Sequence, residues 1–261
     1  MSEKLKITIL GSGTSTGVPV IGCECSVCRS GHPKNQRSRA AIMISNQHGK
    51  NIVVDTGPEF RLQMLREKVR DLHGVLYTHL HADHCNGFDD LRAFFFHHGL
   101  PIKCFLAPEH LEEMKRRFSY AFNATGYLGT KPQVDLFPIK DLEPFQISDF
   151  SIESFQVDHG DVKSSVFRIG RFAYATDFKA FTQKQVAYWR GKVDVMVASG
   201  IHFGVHRTHS VIPETLRLFE ELQVKQGIIT HLAHDVDYER DSPKLPANAA
   251  LAYDGMTIDV N

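Results

Sequence analysis

The sequence predicts an α/β fold in which two mixed β-sheets pack against each other and helices cover the outside. The chain has 261 residues, of which 42% are hydrophobic, and this is enough to bury a substantial core. Strand-like runs outnumber helical patterns by about two to one. Single helices interrupt runs of strands in both halves of the chain, which favours two packed sheets over one strictly alternating parallel sheet. Since no linker or repeat divides the chain, we predict one domain over residues 1–261.

Short apolar or alternating runs bounded by turn residues predict the strands. In chain order these runs are Lys6–Leu10, Ala41–Ser45, Ile52–Asp55, Gly74–Thr78, a short strand at Phe105, Val134–Phe137, Ser151–Val157, Ser165–Ile169, Phe172–Thr176, Val193–Ala198, Gly227–Thr230 and Met256–Val260. Apolar residues at three- and four-residue spacing predict the helices. The helical patterns are Glu59–Glu67, Phe88–Phe96, Pro108–Phe122, Thr182–Arg190 and Pro213–Leu222.

Charge and composition restrict the classes of partner. With 30 Lys+Arg against 30 Asp+Glu, the formal net charge is zero, which argues against a whole-surface binder of long nucleic acid or anionic membrane. No apolar run approaches the roughly 18 residues of a membrane span, and the amino-terminal apolar run is too short for a signal peptide. Five cysteines, three of them close together, fit a reducing compartment. We therefore predict a cytoplasmic protein.

The chain has 15 histidines, and the densest group follows the predicted strand Gly74–Thr78. It reads His79-Leu-His81-Ala-Asp83-His84, so three imidazoles and a carboxylate occur within six residues. On a tight loop at a strand end they can point at a first-row metal ion from several directions. The alternative is a solvated histidine-rich turn. The apolar strand before the group and the helical pattern after it favour the metal site.

Further metal ligands are expected from other strand ends. His159 follows the predicted strand Ser151–Val157, Asp177 follows Phe172–Thr176, and His231 follows Gly227–Thr230. Each alone would more often be a satisfied polar residue at the end of a strand. Together with the first group they predict a larger metal centre.

The order of these residues resembles the metallo-β-lactamase superfamily over nearly the whole chain. The resemblance implies a four-layer αββα sandwich with a dinuclear metal site at one edge. It also implies the ligand sets: His79, His81 and His159 bind one metal, Asp83, His84 and His231 bind the second, and Asp177 bridges them. Asp55, at the end of Ile52–Asp55, either orients a ligand imidazole or caps the turn that follows it.

A second candidate metal site is the group Cys23-Glu-Cys25-Ser-Val-Cys28. Three thiolates this close suit a closed tetrahedral zinc site, which needs a fourth ligand. His234 is the natural supplier, since it lies three residues beyond His231 and can turn away from the first centre. Such a structural Zn would tie the amino-terminal loop to the carboxy-terminal part of the fold. The alternative is an ordinary cysteine-rich turn.

The glycine-rich run Gly11–Pro19 followed by these cysteines resembles one branch of the superfamily, that of the phosphoribosyl cyclic phosphodiesterase of phosphonate breakdown. That branch carries a Cys3His zinc, which Cys23, Cys25, Cys28 and His234 match. The pyrroloquinoline quinone pathway protein has similar cysteines but different flanking sequence. Ribonuclease Z shares the glycine-rich motif, but we find neither its long inserted arm nor a basic excess for tRNA.

The branch resemblance points to His209 as a residue near the phosphate that protonates the leaving oxygen. Ser210 could cap the next helix and help to bind an anion there. His202 and His206 are interpreted as structural or solvent-facing, and Arg207 either neutralises a substrate phosphate or is an ordinary surface residue. The aromatic, glycine-containing segment 117–129 is a lid, a base-stacking wall or a core-capping loop.

These observations predict a phosphodiesterase that acts on small, preferably cyclic phosphodiesters through hydroxide activated by two divalent metal ions, Zn or Mn. Asp83 and His209 are the catalytic candidates. The alternatives are another metallo-hydrolase, such as a thioesterase or lactonase, and a metal protein like that of the pyrroloquinoline quinone pathway. The expected partner is a small phosphodiester, with neither long nucleic acid nor membrane, and the resemblance allows a homodimer.

Overall fold

The structure is a computed structural model that describes residues 4–123 and 129–261. Its strands form two seven-stranded sheets. The first sheet has the order β14-β1-β2-β3-β4-β5-β6, and the second has the order β13-β12-β11-β10-β9-β8-β7. The strands are β1 Leu5–Gly11, β2 Ala41–Asn46, β3 Asn51–Val54, β4 Gly74–Leu76, β5 Ile102–Leu106, β6 Val134–Pro138, β7 Phe145–Ile147, β8 Phe150–His159, β9 Val162–Ile169, β10 Phe172–Ala175, β11 Val195–Ser199, β12 Gln226–Thr230, β13 Ala249–Leu251 and β14 Thr257–Val260.

Both sheets are mixed, as predicted. In the first sheet β14, β1, β2 and β3 pair antiparallel, whereas β3 to β6 pair parallel. In the second, β7 to β10 pair antiparallel and β10 to β13 pair parallel. The α-helices are α1 Phe60–Arg66, α2 Ala82–Cys85, α3 Arg92–His98, α4 Leu111–Arg117, α5 Ser119–Phe122, α6 Gln183–Trp189, α7 Ile212–Leu222 and α8 Tyr238–Asp241. Short 3-10 helices cover Pro33–Asn35, Phe88–Leu91, Pro108–His110 and Ser242–Lys244.

The buried side chains form three layers of core between four layers of backbone. The inner faces of the sheets meet in one cluster, in which Ile7 and Ile44 of the first sheet join Phe167 and Val197 of the second. A second cluster lies between the second sheet and α6 and α7, and a third lies between the first sheet and the helices α1, α3 and α4. This arrangement confirms the predicted four-layer αββα sandwich.

The structure differs from the predicted elements in several places. The predicted helix Pro108–Phe122 is divided into a 3-10 turn, α4 and α5, because Phe118 leaves the helical region with φ −108° and ψ 38°. The predicted Phe88–Phe96 helix begins as the 3-10 turn Phe88–Leu91. The three-residue strands β7 and β13 were missed because each is a short edge strand held by one neighbour. Of the described residues, no helix is both long enough and apolar enough to cross a membrane.

Candidate metal centre

The strand ends of both sheets meet at one edge of the sandwich. β3 and β4 of the first sheet end just before Asp55 and the loop of His79, and β8, β10 and β12 of the second end at or near His159, Asp177 and His231. A hydrogen bond from Ser165 N–H to the Thr78 carbonyl, 2.8 Å long, joins the two sheets beside this loop. The predicted ligands that are far apart in sequence are therefore neighbours in space.

Three imidazoles form the first group. The nearest ring nitrogens of His79 and His81, Nε2 and Nδ1, are 2.8 Å apart. Ring nitrogens of His79, His81 and His159 all lie within 4.8 Å of one another. His79 and His159 are buried, whereas His81 is exposed at the mouth of the site. Burial, followed by the neighbouring charge of His84, lowers the pKa of His79 well below its usual value, so its nitrogen lone pair is free to bind a metal ion.

The second group contains Asp83, His84, Asp177 and His231, with ligand atoms again within 4.8 Å. Asp177 Oδ2 lies 2.5 Å from His84 Nε2 and 3.9 Å from His79 Nε2, and Asp177 Oδ1 lies 3.1 Å from His231 Nε2. The Asp177 carboxylate thus stands between the two groups, as the bridging role requires. Burial raises the pKa of this carboxyl, but His231 and His84 outweigh it and hold the pKa well below its usual value.

The backbone at the strand ends is unusual. Asp55, Asp177 and His231 have φ angles of 69°, 50° and 58°, in the left-handed region that residues other than glycine rarely adopt. Such conformations persist where the surrounding structure fixes them, and they cluster at functional sites. Here they accompany the turn from each strand into the site.

The buried polar atoms of the centre fit divalent cations. Within the described residues, His84 Nε2, His231 Nε2 and both carboxylate oxygens of Asp177 are buried and make no hydrogen bond, although they lie close to one another. Buried polar atoms are almost always hydrogen-bonded, so atoms that crowd without bonding are expected to share a ligand. Imidazole and carboxylate are common ligands of first-row divalent ions. The residues present therefore suit two such ions.

The contacts of Asp55 orient the second group. Asp55 is fully buried, and its Oδ2 accepts a hydrogen bond of 2.7 Å from His84 Nδ1. Thr78 holds the same carboxylate through its backbone N–H (2.9 Å) and its hydroxyl (2.8 Å). Since Nδ1 of His84 is engaged, only its Nε2 can face the centre. These contacts favour the orienting role of Asp55 over the capping role.

A pocket of about 250 Å³ opens onto the centre. Its wall contains predicted ligands and also His209, whose Nδ1 lies 3.0 Å from Asp177 Oδ1 and whose side chain is 15% exposed. Ser15, Gly160, Asp161 and Thr208 complete the wall, and none of these four is among the site residues predicted from the sequence. Ser15 lies in the glycine-rich run Gly11–Pro19, and this position is the only feature of the sequence that could have indicated a pocket residue.

The other residues that the sequence singled out are not among the described residues that line this pocket. Arg207 is exposed on the surface. The Ser210 hydroxyl is buried against Thr215 Oγ1 at 2.9 Å, and Val211 is the N-cap of α7, so the prediction that Ser210 caps this helix was wrong. In the 117–129 segment, Phe118 stacks on Phe88 with ring centroids 4.4 Å apart, which favours core capping there. Residues 124–128 of that segment lie outside the described residues.

The cysteine group forms a separate cluster with His234. His234 Nδ1 lies 3.3 Å from Cys23 Sγ, 3.5 Å from Cys25 Sγ and 3.7 Å from Cys28 Sγ. A sulfur and a nitrogen bound tetrahedrally to one zinc ion would be about 3.5 Å apart, from Zn–S of about 2.3 Å and Zn–N of about 2.0 Å. The backbone N–H of Cys28 is the main cause that lowers the pKa of Cys25 to about 6, which favours the thiolate. The four side chains therefore fit one tetrahedral Zn²⁺.

Comparisons with known proteins agree with this fold. The model of the β-lactamase superfamily domain matches residues 50–232. A crystal structure described as a new diphosphatase from the PhnP family is 32% identical, with a TM-score of 0.91 over 100% of this chain and 98% of that chain. Zn²⁺-bound PqqB from Methylobacterium extorquens shares the fold with a TM-score of 0.77 and 19% identity, over 98% of this chain and 100% of that chain.

A curated relative, the octanoyltransferase of Porphyromonas gingivalis, is 31% identical over 254 residues, which are 97% of this chain and 51% of that protein. The chain spans about half the length of this relative. The fold, the arrangement of the centre and these matches show that the chain belongs to the metallo-β-lactamase superfamily of hydrolases, on its PhnP-like branch.

Proposed function

We propose that this protein is a phosphodiesterase that uses two divalent metal ions to hydrolyse small phosphodiesters, cyclic ones included. One observation carries the proposal: Asp177 stands between two groups of candidate metal ligands, on the wall of a pocket that also holds His209. Metal ions bound there would lower the pKa of water toward neutrality and offset the negative charge that develops on phosphate. The 32% identical diphosphatase supports phosphorus chemistry at this centre.

The protein's own residues supply the rest of the chemistry. His209 stands at the pocket wall with part of its ring exposed, where it can hold a proton for the leaving oxygen. Asp83 and Asp177 place carboxylates beside the imidazoles. This side of the pocket can therefore bind cations that would face the substrate phosphate. A pocket of about 250 Å³ suits a sugar phosphate better than a long RNA strand. We therefore propose a small substrate.

The cysteine cluster is proposed to hold one structural Zn²⁺, because thiolates favour zinc strongly. The catalytic centre is proposed to take Zn or Mn, since imidazole and carboxylate accept both. The expected total is three metal ions per chain, from the two groups around Asp177 and the cysteine cluster.

A second candidate is the hydrolysis of phosphoanhydrides. The related diphosphatase favours it. A diphosphate carries phosphoryl oxygens like those of a phosphodiester and would contact the same bound cations. Cleavage of acyl bonds is a third outcome, because an activated hydroxide also attacks thioesters and lactones. The octanoyl activity in the name of the curated relative belongs to a protein about twice as long as the matched region.

A substrate panel tests the proposal. Protein loaded with Mn²⁺ or Zn²⁺ is assayed with bis(p-nitrophenyl) phosphate, 2′,3′-cyclic nucleotides, a nucleoside diphosphate, an octanoyl thioester and a lactone. We expect the highest kcat/KM on a phosphodiester, and a loss of more than about 100-fold in His79→Ala and Asp83→Ala. His48→Ala, in an exposed turn, is the control that should keep wild-type activity. Preference for the nucleoside diphosphate, the thioester or the lactone, or unchanged rates in the ligand variants, would reject the proposal.

A further inference from the structure

We propose that His206 is a positioning residue that fixes the segment 208–209, and through it both His159 and His209. Its sequence context suggests only a structural or solvent-facing histidine. The inference rests on the proposed function, in which His159 binds metal and His209 donates a proton. The contacts of His206 do not depend on which substrate is bound.

The imidazole of His206 gathers two backbone donors. Its Nδ1 accepts a hydrogen bond from Thr208 N–H at 3.3 Å and another from His209 N–H at 3.2 Å. An atom that accepts two N–H groups carries no proton, so the ring is held as the tautomer with hydrogen on Nε2. The half-buried ring also packs edge-on against His209, with centroids 4.8 Å apart. These contacts restrict the backbone torsions of residues 208 and 209.

The carbonyl of Thr208 transmits this order to the first ligand group. It accepts a hydrogen bond of 3.3 Å from His159 Nδ1. With Nδ1 engaged, His159 presents Nε2 toward His79 and His81. The fit is tight, since a Cβ built on Gly160 would lie 2.9 Å from Thr208 Cγ2. A shift of the Thr208 peptide would therefore turn or displace His159.

The same segment carries His209. Its backbone N–H is held by His206, and its carbonyl accepts a hydrogen bond of 3.4 Å from Lys179 Nζ. Glu214 in turn fixes Lys179 through contacts of 2.8 and 2.9 Å. Both the N–H and the carbonyl of His209 are therefore hydrogen-bonded, and its ring lies beside Asp177. One imidazole thus supports a metal ligand on one side and the proposed proton donor on the other.

His202 provides a matched comparison within the same loop. Its Nδ1 accepts a hydrogen bond of 2.7 Å from Gly204 N–H, so it forms the same kind of local turn. Its ring lies next to that of His206, with centroids 6.0 Å apart. No carbonyl of that turn bonds a predicted ligand among the described residues. Substitution of His202 therefore removes a turn-forming imidazole without releasing His159.

The test compares His206→Leu, His206→Asn and His202→Leu. Leucine removes the acceptor, whereas the amide oxygen of asparagine can accept from N–H groups two and three residues further along the chain. Chelator-treated protein is titrated calorimetrically with Mn²⁺, because thiolates favour zinc and Mn²⁺ reports on the imidazole and carboxylate groups. Thermal unfolding of each metal-free variant, together with kcat and KM on bis(p-nitrophenyl) phosphate, completes the set.

We expect His206→Leu to weaken Mn²⁺ binding by about 10- to 100-fold and to lower kcat, with little change in metal-free unfolding temperature relative to His202→Leu. His206→Asn should restore Mn²⁺ affinity, and His202→Leu should match wild type. Wild-type affinity in His206→Leu would overturn the inference. So would equal losses in His206→Asn, or in His202→Leu. If wild type hydrolyses no phosphodiester, the proposed function fails, while the Mn²⁺ affinities still decide the role of His206.

Discussion

Asp55 illustrates at the scale of one residue how a side chain away from the pocket can control the metal centre. It is fully buried and does not line the pocket, yet it accepts hydrogen bonds from His84 Nδ1 and from two atoms of Thr78. The two oxygens of its carboxylate accept from all three donors, whereas an amide of the same shape would have only one acceptor oxygen. The orientation of His84 therefore depends on the two acceptor oxygens of Asp55 as well as on its size.

Asp55→Asn tests this dependence. The amide keeps the shape but turns one acceptor into a donor, which must face either an imidazole N–H or the donors of Thr78. We expect the affinity for Mn²⁺ to fall by about 10- to 100-fold. Calorimetric titration of chelator-treated protein measures the change, with the exposed Asp259→Asn as the control. Unaltered affinity in Asp55→Asn would show that the His84 contact does not matter for binding.

His209→Ala tests the proton donor. A poor leaving group such as a sugar alkoxide needs a proton as it departs, whereas p-nitrophenolate does not. We expect kcat on a 2′,3′-cyclic nucleotide to fall by about 10²- to 10⁴-fold, and kcat on bis(p-nitrophenyl) phosphate to fall much less. The ratio of the two losses is the measurement. Equal losses on both substrates would assign His209 to substrate or metal binding instead.

Residue chemistry and strand ends in the sequence predicted which residues meet at the candidate centre, whereas the geometry of the loops could not be predicted from it. His159, Asp177 and His231 each follow an apolar strand, and this position brought them to the site. The pocket residues Asp161 and Thr208 lie in turns that carry no hydrophobic period, so nothing in the sequence marked them. The contacts of His206 are with backbone N–H groups, which every sequence has and no motif reports.

At the scale of elements, the loop of the first histidines depends on close packing between the end of β3 and α2. Gly57 and Gly87 lie at this junction. A Cβ on Gly87 would stand 2.1 Å from the carbonyl oxygen of Gly57, and one on Gly57 would stand 2.3 Å from that of Asp83. Only glycine permits such an approach of two backbones. The position of Asp83 and His84 is therefore set by the absence of two side chains.

Gly87→Ala should disturb this junction. The added methyl must displace backbone, so we expect a loss of about 1–3 kcal/mol in the free energy of unfolding, together with weaker binding of Mn²⁺. Denaturant unfolding measures the first quantity. Gly31→Ala is the matched control, since a Cβ there meets nothing within 4 Å. Equal stability of both variants would contradict the close contact.

The strong periodic elements agree with the sequence prediction, whereas the weak ones do not. The predicted helix Pro213–Leu222 corresponds to α7, whose apolar face includes the buried Phe219 and Leu222 and the partly buried Leu216. The edge strands β7 and β13 have three residues each, too few to show a pattern. The division of the helix after Pro108 depends on the backbone angles of Phe118, which pack its ring onto Phe88. Tertiary packing decided these cases over local propensity.

At the scale of the whole molecule, the cysteine cluster brings the loop that follows β1 against the segment that follows β12. Arg37, nearly fully buried, donates to the Ala233 carbonyl (3.2 Å) and to Asn35 Oδ1 (2.9 Å), and Asn35 Nδ2 donates to Asp237 (2.9 Å). These bonds join the amino-terminal loop to the segment of His234. A zinc ion at the cluster would add a further link between the same two regions.

His234→Ala tests this link. We expect the variant to lose one zinc ion per chain by elemental analysis and to unfold at a lower temperature, because three thiolates hold zinc less well than a complete tetrahedral set. The histidines and aspartates around Asp177 remain, so Mn²⁺ should still bind there. Zinc content equal to that of wild type, or a wild type with only two metal ions in total, would remove the proposed structural site.

The balance of 30 basic and 30 acidic residues acquires a clearer meaning at this scale. The carboxylates of Asp55, Asp83 and Asp177 all lie within 3.2 Å of ring nitrogens of the His84 imidazole. Such a site attracts cations first and an anionic substrate only after they are bound. Composition counts the side chains but omits the metal ions, so the sequence alone could not show where positive charge for a phosphate comes from.

The dependence of phosphodiester hydrolysis on two metal ions can be measured directly, as turnover while metal is returned to chelator-treated protein that keeps its cysteine-bound zinc. We expect no turnover without added Mn²⁺ or Zn²⁺, recovery that saturates near two added ions per chain, and no recovery in Asp177→Ala. Full turnover by the chelator-treated protein, or recovery in Asp177→Ala equal to that of wild type, would contradict this dependence.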